Sequence, residues 1–173
     1  FEIELRQGQA PPYDRFGAPM WSARDAAAPS LDTAQPVVYR RSTQSMVDGR
    51  WLQQRVYTLW FAERPASSRF DLLAGTLDGV IVRLTLAPDG TPLMLDSIHA
   101  CGCWHQFYPA PGVSVRDGAP AGVEWAFVPA GLPPLQPGQR LAVRLASGTH
   151  HVTGVATPSP LPAERYMLRD ENE

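Results

Sequence analysis

The sequence predicts an all-β fold, an antiparallel sandwich or barrel built from hairpins, with long Pro/Gly-rich extended segments. Several stretches alternate apolar and polar residues, as a strand with one buried face does. Asp-Gly and Ser-Gly pairs, which supply the positive φ angles of tight hairpin turns, separate these stretches. The 18 prolines and 14 glycines among 173 residues indicate many short connections and argue against a helical bundle.

Three hairpins account for most of the predicted strands. They join residues 36–46 to 50–61, residues 71–87 to 91–109, and residues 139–146 to 150–157. Their turns are expected at Asp48-Gly49, Asp89-Gly90 and Ser147-Gly148. The stretch Tyr-Thr-Leu-Trp-Phe, residues 57–61, is rich in large apolar side chains, which is typical of a central strand buried on both faces.

A chain of this length forms one domain with a sizeable core. We expect residues 1–36 to be an extended N-terminal segment that wraps the domain, because they show no sustained periodicity apart from a short helix-like pattern at 22–28. Residues 37–173 are expected to form the antiparallel β domain. Within it we predict a short strand at 124–128, and residues 164–170 are expected to be an edge strand or a short helix.

The charge pattern excludes several classes of partner. The formal net charge is −2, and the 15 basic residues are arginines scattered along the chain. Nucleic acid and anionic membrane surfaces are therefore not expected as main partners. No run is long enough for a transmembrane helix, and no Gly-rich phosphate loop supports nucleotide binding. Two cysteines do not identify a compartment.

The stretch Ser-Ile-His-Ala-Cys-Gly-Cys-Trp-His, residues 97–105, carries the strongest functional signal. On a regular strand, His99, Cys101, Cys103 and His105 would share one face. Alternate strand residues lie about 7 Å apart, so one ion cannot collect all four side chains from a flat strand. We therefore expect the chain to bend at Gly102, which tolerates unusual φ angles.

A metal site is the preferred interpretation of this stretch. Thiolate and imidazole ligands together suit zinc or copper. Of the adjacent pair His150 and His151, at most one is expected to join, because neighbouring strand residues face opposite ways. The candidate ligands are His99, Cys101, Cys103, His105 and His151.

Two other interpretations of the cysteines stay open. With glycine between them they can close a disulfide, which would make the pair a labile dithiol. They can also be small buried core residues. We expect Cys101 and Cys103 to be close in space and largely shielded from water by the apolar residues around them.

Other polar residues give weaker signals. Asp78 lies in a Leu-Asp-Gly stretch and is expected to form a turn. Asp96 is expected opposite the sulfurs, where it can orient a histidine. Ser147 lies near His150 in the sequence, but no oxyanion signature accompanies them.

The sequence thus favours a metal-binding β domain, either a metalloenzyme or a metal-handling protein. The alternative is a non-catalytic accessory or structural subunit. In that case the Pro-rich segments 7–36 and 109–139 would pack against a partner protein, since such segments bury little surface on their own.

Overall fold

A computed structural model describes residues 2–3, 10–21, 23, 29–114, 127–135, 139–158 and 166–172. These residues form strands, one short 3-10 helix at Pro12–Asp14, and no α-helix. The strands are β1 (Glu2–Ile3), β2 (Ala18–Met20), β3 (Ser30–Asp32), β4 (Val37–Val47), β5 (Arg50–Arg64), β6 (Gly75–Leu86), β7 (Pro92–His99), β8 (Gln106–Pro109), β9 (Ala142–Leu145), β10 (Val152–Ala156) and β11 (Met167–Asp170). None of these elements is a helix that could cross a membrane.

A six-stranded sheet in the order β11-β4-β5-β6-β7-β8 is the main element of the fold. From β4 to β8 it is an antiparallel meander. Asp48 and Gly49 both have positive φ, 47° and 76°, as the predicted two-residue turn requires. The turns at Asp89-Gly90 and Ser147-Gly148 also join antiparallel strands, so all three predicted hairpin turns are confirmed.

A smaller sheet, β1-β9-β10, contributes to the same core, which makes the fold sandwich-like. The core joins Val143 and Val152 of this sheet to buried residues of the large sheet such as Leu59 and Val82. The prediction of an all-β fold is confirmed, with two parallel pairs, β1 with β9 and β11 with β4, added at the sheet edges.

Central strand β5 agrees with its prediction. Tyr57, Thr58, Leu59 and Phe61 are all buried, and β5 pairs with β4 on one side and with β6 on the other. Consecutive residues face opposite sides of a sheet, so burial of successive residues shows that both faces are covered here.

The predicted single strand at residues 91–109 is wrong, because this stretch forms two strands and a tight turn. Strand β7 ends at His99, β8 begins at Gln106, and Ser97 pairs with Gln106 across the hairpin. The turn closes where the backbone N–H of His99 donates to the carbonyl oxygen of Cys103 at 3.0 Å. Gly102, with a φ of 84°, provides the expected bend. Apolar residues continue through the turn, which is why the pattern concealed it.

The chain ends are only partly described. Residues 167–170 form the expected edge strand. The described part of residues 1–36 contains the β2–β3 ribbon and Phe16, which reaches the core. The helix-like pattern at 22–28 and the predicted strand at 124–128 fall mostly outside the described residues, and the division at residue 36 stays a prediction.

Replacing Leu95 with Ala tests the core. Its side chain is fully buried, so the substitution leaves a cavity and should lower the free energy of unfolding by about 2–5 kcal/mol. Leu72, which is 96% exposed, is the matched control, and its replacement should change that energy by less than about 0.5 kcal/mol. Urea denaturation measures both variants. Equal effects would contradict the core described above.

Candidate functional site

A chain of imidazoles and carboxylates lies where β6 begins and β7 ends. The Nδ1 atom of His150 lies 2.7 Å from Oδ2 of Asp78, and its Nε2 atom lies 3.2 Å from Oδ1 of Asp14. On the other side, Nδ1 of His99 lies 3.4 Å from Oδ1 of Asp78. We call Asp14, Asp78, His99 and His150 the His–Asp cluster.

Four separate elements supply the cluster. Asp78 and His99 lie on the core-facing side of β6 and β7, where Asp78 pairs with Phe61 and His99 with Val80. His150 has a φ of 53° in the turn before β10, and its ring stacks on Phe61 at a centroid distance of 3.9 Å. The 3-10 helix contributes Asp14, which also accepts hydrogen bonds from the β9–β10 turn at Ser147 Oγ (2.6 Å) and Gly148 N (2.7 Å). The four residues of the cluster range from residue 14 to residue 150, so only the tertiary fold brings them together.

His150 connects two carboxylates. An ionised carboxylate only accepts hydrogen bonds, so the His150 nitrogen that faces the carboxylate of Asp78 is the donor of that contact. Burial opposes ionisation of Asp78, but hydrogen bonds from His150 and His99 and their charges outweigh it and hold the pKa of Asp78 well below its usual range. The cluster therefore keeps the carboxylate of Asp78 ionised inside the fold.

His99 has one nitrogen without a partner. Its side chain is 3% exposed, Nδ1 faces Asp78, and Nε2 makes no hydrogen bond within the described part of the chain. Buried polar atoms are nearly always satisfied, so a buried imidazole nitrogen without a partner is a feature that needs an explanation. A bound ligand or ion at Nε2 would supply one.

The two cysteines lie in the turn that directly follows His99. Cys101 and Cys103 form a disulfide, with Cα atoms 5.6 Å apart. The two residues are close in space, as expected. The expectation that both are shielded is wrong for Cys101, which is exposed, and Cys103 is only partly buried. The reason is the turn, since Cys101 lies beyond the end of β7 and is not covered by the opposite sheet.

His105 lies apart from the His–Asp cluster. Its Nε2 atom is 3.1 Å from Oδ1 of Asp96 and 3.1 Å from Nη2 of Arg83. Asp96 and His99 are three positions apart on β7, so they face opposite sides of the sheet. The structure therefore does not bring His105 to the face that carries His99, and the expectation that His99, Cys101, Cys103 and His105 share one strand face is wrong.

His151 lies near His99 and contacts the turn that follows it. Its ring stacks on Trp104 at 5.4 Å, and its Nδ1 atom is 2.7 Å from Oγ1 of Thr149. Burial, followed by the nearby charges of His99 and Arg64, lowers the pKa of His151. This end of the sheet thus collects four of the five predicted ligands, namely His99, Cys101, Cys103 and His151.

Sequence reasoning missed part of the cluster. Asp78 was expected in a turn, but it lies within β6 and binds two histidines. Leu-Asp-Gly resembles a turn locally, and only the pairing of β6 with β5 and β7 removes that ambiguity. No local signal marks Asp14, and His150 was set aside in favour of its neighbour His151.

The positions of the candidate ligands in this oxidised state do not form a metal site. Among the residues that the structure describes, no three His, Cys, Asp or Glu side chains are arranged to hold an ion. Both sulfurs are in the disulfide, where neither is a thiolate available as a ligand.

The chain matches no protein-family profile, no curated protein and no solved structure. Any function proposed for the site therefore depends on its geometry.

Replacing Asp78 with Asn tests the role of the cluster. The substitution removes a carboxylate that contacts two buried imidazoles, and it should lower the free energy of unfolding by about 3 kcal/mol. Asp170→Asn is the control, because among the described residues its carboxylate binds only Asn172, two positions further along the chain. Chemical denaturation at pH 7 should show a large loss for the first variant and little change for the second.

The stability due to Asp78 should also depend on pH. Because the pKa of Asp78 is depressed in the folded protein, its contribution is complete above the ordinary aspartate pKa of about 4 and is lost as pH falls below it. The stability difference between wild type and Asp78→Asn should therefore shrink in acid. A difference that stays constant from pH 7 to pH 3 would contradict this assignment.

Proposed function

We propose that this end of the large sheet binds a thiophilic metal ion, zinc or copper, when Cys101 and Cys103 are reduced. The observation that carries the proposal is the buried Nε2 atom of His99, which has no hydrogen-bond partner among the described residues. The ion would occupy the space that this nitrogen faces.

The second nitrogen of His99 supports this role. Metal-binding histidines commonly donate their other ring N–H to a carboxylate, which fixes the tautomer and the ring orientation. His99 has this arrangement, with Nδ1 facing Asp78. When Nδ1 carries the proton, Nε2 presents a lone pair, which is what a metal ligand needs.

The turn after His99 would supply the thiolates. Reduction of the disulfide requires two electrons and two protons, which a dithiol reductant provides, and it yields two thiols that bind metal as thiolates. Backbone hydrogen bonds from His99 N to Cys103 O and from Gly102 N to His99 O keep this turn beside the imidazole. His151 is the candidate fourth ligand, and His105 is left out because it binds Asp96.

Metal loading of the reduced protein tests the proposal. About one equivalent of zinc should bind, and cobalt should give the visible bands of a thiolate site. Cys101→Ser combined with Cys103→Ser should abolish binding, and His99→Ala should weaken it by at least about tenfold. His105→Ala is the matched control and should bind as wild type does.

Elemental analysis and cobalt absorption measure these outcomes, with circular dichroism as a check of folding. Full metal content in the double-Ser variant would overturn the proposal. So would an equal loss of binding in His105→Ala and His99→Ala.

The closed disulfide favours a second candidate function, thiol–disulfide exchange. Cys101 is exposed, so an external thiolate can reach its sulfur. Attack there would form a mixed disulfide and release Cys103 as a thiolate, and a second external thiolate would then release Cys101. No oxidant beyond the disulfide itself is needed.

Catalysed exchange distinguishes this candidate from the metal site. The metal-free protein should accelerate thiol–disulfide exchange between a dithiol and a small disulfide, and Cys103→Ser should remove the acceleration. Exchange at the uncatalysed rate, measured by absorbance or mass spectrometry, would rule this candidate out.

A role as a non-catalytic accessory subunit has separate support. Met20 and Trp21 in one Pro-rich segment, and Val113 and Phe127 in the other, are exposed large apolar residues. Such residues are what a protein partner would cover. A tightly bound partner together with the absence of metal in the reduced, purified protein would favour this role over the first.

A further inference from the structure

The strands of the six-stranded sheet are much longer than those of the small sheet. Strands β4 and β5 contain 11 and 15 residues, whereas β9 and β10 contain 4 and 5. At about 3.3 Å per residue, β5 is roughly 50 Å long and β9 only about 13 Å. The small sheet therefore covers the large sheet near the His–Asp cluster and leaves the β4–β5 hairpin end uncovered.

An open groove of about 1210 Å³ lies at that uncovered end. One wall is the face of β4, β5 and β6 that continues from the core. Residues 110–113, 132–135 and 139–141 contribute to the other wall. This volume is larger than that of an ordinary small-molecule pocket, so the groove has room for an extended ligand.

The sheet wall of the groove carries polar side chains next to apolar ones. Trp51, Gln53 and Arg55 alternate along β5, and Gln44 pairs with Gln53 across the hairpin, so all four face the groove. The indole of Trp51 is 62% exposed. Leu86, opposite Gln53 on β6, is buried beside them on the same face.

The polar groups on this wall are available to a ligand. Within the part of the chain that the structure describes, the side chains of Gln44, Gln53 and Arg55 make no hydrogen bond or ion pair. Each primary amide both donates and accepts hydrogen bonds, and the guanidinium presents a fork of donors that matches a carboxylate. Asp89, the carboxylate at the groove, already accepts from the backbone N–H of Thr91.

We propose that this groove binds an acidic oligosaccharide. A sugar ring would stack on Trp51, its hydroxyl groups would bind Gln44 and Gln53, and a carboxylate would pair with Arg55. Trp51 and Arg55 lie about 13 Å apart along β5, which requires a ligand of more than one sugar ring. The groove is at the opposite end of β5 from the His–Asp cluster, so this proposal does not depend on the metal site.

Other polymers fit these residues less well. Nucleic acid binding relies on several cations that neutralise phosphates, whereas the groove is lined by two arginines, Arg55 and Arg140, and by the carboxylate of Asp89. Proline-rich peptides dock between aromatic ridges, and Trp51 is the one exposed aromatic residue on the wall. An oligosaccharide with hydroxyl groups and carboxylates would contact Trp51, both glutamines and Arg55.

Calorimetric titration with hexagalacturonate tests the proposal. Wild type should bind saturably, and maltohexaose, its neutral counterpart, should bind at least about tenfold more weakly because it offers Arg55 no carboxylate. Trp51→Ala and Arg55→Gln should each weaken binding of hexagalacturonate by at least about tenfold. Both side chains are exposed, so the variants should fold. Arg69→Gln, at an exposed arginine outside the groove, is the control and should bind as wild type does.

Three outcomes would overturn the proposal. One is the absence of saturable binding to hexagalacturonate. Another is unchanged affinity in both groove variants, or an equal loss in the Arg69→Gln control. The third is Trp51-dependent binding of a poly-L-proline peptide without binding of hexagalacturonate, which would identify the groove as a peptide site.

Discussion

The contact of the His150 imidazole with Asp78 on one side and Asp14 on the other is the interaction on which the rest of this structure most depends. Its three members come from the turn before β10, from β6 and from the 3-10 helix near the N-terminus. Taking a carboxylate such as that of Asp78 out of water is costly, and the cost is offset only when its partners are present. The interaction therefore specifies how the small sheet and the N-terminal region meet the large sheet. Phe61, which stacks on the ring, covers one face of it with apolar surface.

The same interaction gives His99 its properties. Because Asp78 accepts from His150 with one oxygen, its other oxygen is left for Nδ1 of His99. The carboxylate that stabilises the fold thus also orients the imidazole whose Nε2 atom has no partner among the described residues. Asp78 thus contributes both to the stability of the fold and to the orientation of His99, so a substitution of Asp78 affects both.

Local chemistry made much of the fold predictable. Asp48-Gly49 adopts the positive φ angles that its residue types favour, and the apolar stretch at 57–61 became the central strand. The turn at residues 100–104 was harder to predict, because its glycine is flanked by residues that also suit a strand. Proximity of Cys101 and Cys103 follows from their spacing, but the separation of His99 from His105 depends on where the hairpin turns. The partners of His99 and His150 come from positions distant in sequence, which no local pattern reveals.

The unequal lengths of the two sheets account for the difference between the two ends of the molecule. Where the short strands β9 and β10 lie over the large sheet, the core is apolar and the carboxylate of Asp78 is buried in contact with two imidazoles. Beyond them, β5 continues with its alternation unchanged, but Trp51, Gln53 and Arg55 now occupy the positions that Tyr57, Leu59 and Phe61 occupy in the core. A strand that only extended the core would carry apolar residues at those positions, and a strand that only met water would have no reason to place an indole there. The mixed composition is that of a surface that meets a partner with both ring faces and polar groups, which is why the groove is interpreted as a binding site and not as an unfinished core.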